Sequence, residues 1–284
     1  MTTKTWTEPL VLELIASHSS KDPRRAVEAY AQKLLREAEQ TRLPIDVGLI
    51  ASVKGIKQRE GKHDFAGRIY AEDDGQLVMD LNTAHNSNRR RFTCAHEMMH
   101  TAFPNFAEEK RYRMDTTLES NPINREEEYL CDLGAAALLM PADLVASSYR
   151  LCDGLSAVEA LSNDAEVSFE AAGNRLAELS DDAGVFMVFG YAHKPADRPA
   201  LRRGEDVSKR VRLRYARCSK LDLYLPRFKS AEDDSVITSA RIRSGIEQAT
   251  EKLPGAEQAG WFSIEAKRYG SEERERILAV ARPA

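Results

Sequence analysis

Hydrophobic positions in this chain follow two different periods. Between residue 23 and about residue 180 they recur mostly every three to four residues, and beyond residue 183 they mostly alternate. In "PRRAVEAYAQKLLREAEQTR", residues 23–42, Ala26, Val27, Tyr30, Leu34 and Leu35 fall on one face, which predicts an amphipathic helix. "LPIDVGLIASVKGIKQ" predicts a short helix opened by Pro44 and Asp46, with Leu49, Ile50 and Val53 inward and Gly55 at its end. "DFAGRIYAEDDGQLVMDLN" alternates through Leu77, Met79 and Leu81 and predicts a β-hairpin turning at "EDDG". The apolar stretch "RRRFTCAHEMMH", residues 89–100, predicts a helix, followed by an irregular charged segment from Pro104 to Asn124. A second helix from Glu126 carries Leu130, Leu133, Ala136, Ala137 and Leu139 inward and stops at Pro141, which cannot continue the hydrogen-bond ladder.

Residues 142–180 predict two short helices broken near Asn163 and Asp164, in the manner of a helix-turn-helix. After "SDDAG" the period drops to two. "VFMVFGYA", "KRVRLRYARCS" and "RILAVAR" predict strands, the second setting Val211, Leu213 and Tyr215 against Arg210, Arg212 and Arg214. "SVITSARIRSGIEQATEKL" reads as a helix between them. The expected class is α+β, in three parts: residues 1–142 with a small sheet and the "HEMMH" helix, a helical segment at 143–182, and an α+β part at 183–284 built on an antiparallel sheet.

A chain of 284 residues, 42% hydrophobic and 30% charged, is long enough for more than one packed core and excludes general disorder. No apolar run approaches the ~18–20 residues that span a bilayer, and the first 25 residues lack a secretory leader, so no membrane partner is expected and the cytoplasm is the expected compartment. Cys94, Cys131, Cys152 and Cys218 form no CxxC pair, which predicts reduced, mostly buried thiols. The net charge of -4 hides an asymmetry: residues 183–284 hold 20 Lys+Arg against 14 Asp+Glu, and the preceding residues 21 against 31. The two halves are electrostatically different objects.

The chemistry concentrates in "HEMMH". Residues four apart on a helix stand one above the other, so His96 and His100 can aim two imidazoles at one point with Glu97 beside them. Zinc takes two such nitrogens, needs a third protein ligand, and keeps one position open for water. Glu97 would then serve as the general base. HExxH also occurs by coincidence on ordinary core helices, so the rest of the chain has to decide. "NREEEYLCDLGAAALLMP" places Glu128 and Asp132 on one helix face, where Glu128 can be the third ligand and Asp132 can accept the outer N–H of a ligating histidine. Glu126 and Glu127 read instead as a solvated helix start favoured by the helix dipole. Tyr112 and Arg113 are candidates to stabilise an oxyanion. Cys94 should point away from the ligand face, because two helical residues turn through ~200°.

"LPIDVGLIASVKGIK", "AGRIY", "RRRFTCAHEMMHTAF" and "EEEYLCDLGAAALLMP" follow one another in an order and spacing that resembles the ImmA/IrrE family of zinc-dependent metallopeptidases, over about residues 23–180. The resemblance implies a zincin-like domain with His96, His100 and Glu128 as metal ligands and Glu97 as catalytic base. Asp132 falls where that family has Asn or Asp. Three positions depart from the pattern: Met99 stands where glycine is common, Cys131 where alanine is usual, and Gly134 where phenylalanine is usual. The whole chain is similar to the IrrE-type subgroup, whose peptidase domain is followed by a helix-turn-helix-like segment and a GAF-like domain. This implies a zinc enzyme, with manganese or another divalent ion as the alternative, that cleaves a helix-turn-helix repressor.

Two other readings stay open. The first is a DNA-binding regulator acting through residues 154–180, but "SFEAAGNRLAEL" offers Arg175 as its one basic residue against Glu170 and Glu178, which disfavours an approach to phosphates. A weaker nucleic-acid option rests on "RRGEDVSKRVRLR". The second is a sensor in which the GAF-like part binds a small molecule and gates the peptidase.

Overall fold

The computed structural model describes residues 5–104, 106, 111–113, 125–270 and 275–284. By its contacts the chain divides into two compact units, one of residues 1–144 with 163–168, the other of 145–162 with 169–284. Most of the helical segment expected at 143–182 is therefore counted with the C-terminal sheet. Both units mix helix and strand, so the chain is α+β.

The first unit begins with helices α1 (Pro9–Ser17), α2 (Pro23–Glu37) and α3 (Val47–Val53). Asp22 caps α2, accepting from the Arg24 amide at 3.0 Å, and Asp46 caps α3, accepting from the Leu49 amide at 2.9 Å. Along α3 it is Val47, Ile50 and Ala51 that are buried, while Leu49 and Val53 face solvent, so the expected inward face is rotated. Strands β1 (Lys57–Gly61), β2 (Gly67–Ala71) and β3 (Leu77–Asn82) follow. The hairpin forms where predicted: β2 pairs antiparallel with β3, and Gly75 adopts the left-handed conformation (φ 83°) that the turn requires.

Helix α4 (Ser87–His100) carries the "HEMMH" residues, and α5 (Arg125–Leu139) carries the acidic run. Between them β4 (Arg111–Arg113) pairs antiparallel with β2, giving a four-stranded sheet in the order β1-β3-β2-β4. The backbone of Tyr112 and Arg113 lies in β4, and their side chains fall outside the described residues.

After α5 come α6 (Ala142–Ala146) and α7 (Leu155–Ala165), each divided between the units, and then α8 (Phe169–Leu179) in the second. Then come β5 (Gly184–Ala192), α9 (Arg198–Arg202), β6 (Arg210–Ser219), α10 (Val236–Ile242), β7 (Glu247–Lys252), β8 (Trp261–Tyr269) and β9 (Arg276–Pro283). The five strands form one antiparallel sheet in the order β6-β5-β9-β8-β7. Helix α8 seats on it through Gly173, where an added Cβ would lie 2.2 Å from the Phe186 ring.

Two expectations for this unit are corrected. The helix expected over "SVITSARIRSGIEQATEKL" ends at Ile242, and Glu247–Lys252 is a strand; Gly245 at φ 102° breaks the helical run and the β7–β8 ladder takes over. Arg212, expected on the solvent face of β6, is buried. It donates to the carbonyls of Ala192 and Phe228 and to Ser230 Oγ, tying residues 228–230 along the edge of the sheet. Its charge is used internally, which weakens the nucleic-acid option.

Candidate metal centre

Helices α4 and α5 pack side by side and bring the two motifs together. Asn86 caps α4 by accepting from the Arg89 amide at 2.9 Å. Two of its arginines anchor it: Arg90 reaches Glu60, and Arg91 donates to the carbonyls of Ile45 and Ala165. The far half of α4, from Thr93 to His100, is buried entirely.

His96 and His100 stack edge to face with ring centroids 5.1 Å apart. Both Nε2 atoms face the carboxylate of Glu128, His96 at 3.2 Å from Oε2 and His100 at 3.7 Å from Oε1. Two ligand atoms bound at ~2.0–2.1 Å to a tetrahedral ion stand about 3.3–3.4 Å apart, so these three groups are spaced as ligands of one small cation. Their chemistry fits as well. His96 Nδ1 lies 2.8 Å from Asp132 Oδ1 and His100 Nδ1 lies 2.8 Å from Glu127 Oε1. A carboxylate can only accept, so each ring holds a proton on Nδ1, and its Nε2, which faces Glu128, is the atom a cation would take.

Burial alone would push the Glu128 carboxyl up, but its hydrogen bond with His96 and the charges of His96 and His100 outweigh that and hold it below the usual 4.5. The site therefore favours an anion between the two rings. The Glu128 and Asp132 side chains are 43% and 53% exposed, which opens this side of the site to solvent.

Cys131 also lies close enough to the two histidines to complete a metal-binding group. Its Sγ approaches His100 at Nδ1, 3.5 Å away, where Glu127 is already bound. Burial pushes its thiol well above the ordinary range. Glu128 lies on the opposite side of both rings, facing their Nε2 atoms.

Glu97 is fully buried beneath the strand β2. The approach there is so close that a Cβ on Gly67 would meet Thr93 Cγ2 at 2.4 Å and Glu97 at 3.3 Å, so only glycine fits opposite the candidate base. Cys94 points away from the metal group, with Sγ 3.8 Å from Gln58 Oε1, and burial raises its thiol to about 12.

The acidic run corrects the expectation most clearly. Glu126 and Glu127 are both buried rather than solvated. Glu126 accepts from the amides of Thr7 and Glu8, and Glu8 in turn accepts from the amides of Glu126 and Glu127. Each helix start thus receives the other's carboxylate. The sequence did carry a signal for Glu127: it precedes Leu130, Cys131 and Gly134 on the buried stripe of α5, where an acid needs a partner.

Residues 53–177 match a peptidase family model described as the IrrE N-terminal-like domain. This stretch therefore carries an ImmA/IrrE-type peptidase domain. The IrrE-like region contains α4 and α5, and with them His96, Glu97, His100, Glu127, Glu128 and Asp132. Among solved structures, a Mycobacterium tuberculosis transcriptional regulator shares the fold with a TM-score of 0.59 at 13% identity, over 91% of this chain and 76% of that one. At that identity the likeness speaks for fold alone. No curated protein matches the sequence. Among the described residues no helix is long and apolar enough to cross a membrane.

Proposed function

We propose that the chain is a zinc-dependent regulatory endopeptidase of the cytoplasm, whose substrate is a protein, a helix-turn-helix repressor. One observation carries the peptidase reading: both Nε2 atoms and the Glu128 carboxylate converge at ligand spacing with Glu97 on the same helix. His96, His100 and Glu128 would hold the ion. When bound, zinc, or manganese in its place, supplies a Lewis acid that polarises the scissile carbonyl and acidifies water.

Glu97 does the proton work. Being buried, its carboxylate is shielded from bulk water and can take a proton from an attacking water and return it to the leaving amine. Asp132 keeps His96 in the tautomer that ligation requires. Repressor cleavage, and through it relief of repression of stress or mobile-element genes, draws its support from the family resemblance.

A DNA-reading role for α8 has less support. Arg175, its one cation, is 3% exposed and pairs with Glu178 at 2.9 Å. The decisive experiment pairs elemental analysis with a Glu97→Gln variant, incubated with the helix-turn-helix repressor encoded nearest to the gene. The variant should keep one equivalent of metal and lose at least about 100-fold in cleavage rate. Cleavage at the wild-type rate by metal-loaded Glu97→Gln would sink the general-base assignment.

A further inference from the structure

Three consecutive glutamates open α5, and each faces a different set of atoms. Glu126 holds the start of α1, and Glu128 faces the two Nε2 atoms. Glu127 turns into the core. It is 1% exposed, and its Oε1 lies 2.8 Å from His100 Nδ1. Taking a carboxylate out of water costs several kcal/mol unless its new partners compensate. Helix capping does not require that cost, because an acid in the first turn complements the helix dipole equally well at the surface.

We infer that Glu127 is the positioning residue of His100. It holds the ring's proton on Nδ1, leaving Nε2, on the Glu128 side, as the nitrogen a cation would take, and makes that nitrogen more basic towards it. This rests on reading the group as a metal centre. Two features make Glu127 a stronger holder than Asp132. The Asp132 side chain is half exposed, so water screens its interaction with His96, whereas the Glu127–His100 pair is dry. The main chain at Glu127 is also fixed, because its amide donates to Glu8 at 3.0 Å. One turn on, the buried Cys131 thiol closes the other side of the same Nδ1 at 3.5 Å. His100 is thus gripped through its outer nitrogen more tightly than His96.

The experiment uses the full chain as wild type, Glu127→Gln, Glu127→Asp and Asp132→Asn. Zinc affinity is measured by competition with a chromogenic chelator, and the tautomer of His100 by two-bond proton–nitrogen NMR of the metal-free protein. Glu127→Gln is expected to weaken zinc binding by about 10–100-fold, more than Asp132→Asn does, and to release His100 into a mixture of tautomers. Glu127→Asp, which keeps the charge, should recover part of the affinity. Zinc binding within twofold of wild type by folded Glu127→Gln, with an unchanged His100 tautomer, would overturn the inference. So would a neutral His100 with its one proton on Nε2 in the wild type, a measurement that needs no variant to fold. If the wild type binds no zinc, the metallopeptidase reading fails, while the tautomer still decides the role of Glu127.

Discussion

At the scale of single residues, two departures from the family pattern explain one another. Met99 stands where glycine is common and Gly134 where phenylalanine is usual, and a Cβ added to Gly134 would lie 2.5 Å from Met99 Sδ and 2.8 Å from its Cγ. The bulk that the family places on the second helix is supplied here from the first. Met99 is fully buried, so Met99→Ala should cost about 2–4 kcal/mol by opening a cavity. Replacing a helical glycine with alanine ordinarily gains ~1 kcal/mol, but Gly134→Ala alone should gain nothing, because its methyl group collides with Met99. In the Met99→Ala background the same change should stabilise. Chemical denaturation of the four proteins tests this, and additive effects would show that the two sites do not share one space.

At the scale of elements, α5 is the piece that assembles the centre, and it was only half legible. Glu128 and Asp132 could be read because a four-residue spacing puts them on one face whatever surrounds the helix. The burial of Glu127 could be read from the stripe it shares with Leu130, Cys131 and Gly134, but the partners of Glu126 and Glu127 could not, because Glu8 and His100 lie 118 and 27 residues away and a local pattern carries no record of them. The same limit hid β1: "KQREG" has no apolar alternation, and its place is set by parallel pairing with β3. It also hid Arg212, whose burial depends on carbonyls from other segments. By contrast α2 follows from periodicity, since it buries a face that its own residues define, the β2–β3 hairpin from its turn, and β5 and β9 from short apolar runs that are buried on both faces. The mutual capping of α1 and α5 gives a prediction at this scale. Glu8→Ala removes the acceptors of two amides, and should lower stability by about 1–2 kcal/mol and speed hydrogen exchange at Glu126 and Glu127. Unchanged exchange there would mean that water replaces Glu8 without loss.

At the scale of the whole molecule, the division into two units separates what each half of the chain contributes. The candidate centre lies entirely within the first, on α4 and α5, while the second is organised around its own sheet, with Val185, Met187, Phe189 and Leu213 in its core. The change of hydrophobic period near residue 183 marked the start of that sheet but not the start of the unit, because α7 and α8 keep helical spacing while packing with strands. The reciprocal capping of α1 and α5 has a further consequence, for the order of assembly. Thr7 and Glu8 leave the ribosome more than a hundred residues before the glutamate they meet, and closing so long a loop is slow and yields nothing until it is complete. The turn that bears Glu127 and Glu128 is therefore expected to gain protection late in refolding, after the β2–β3 hairpin, in pulse-labelled hydrogen exchange. A nascent chain would then have its histidines in place before their carboxylates, and the capacity to hold a metal would arrive only as the first unit closes.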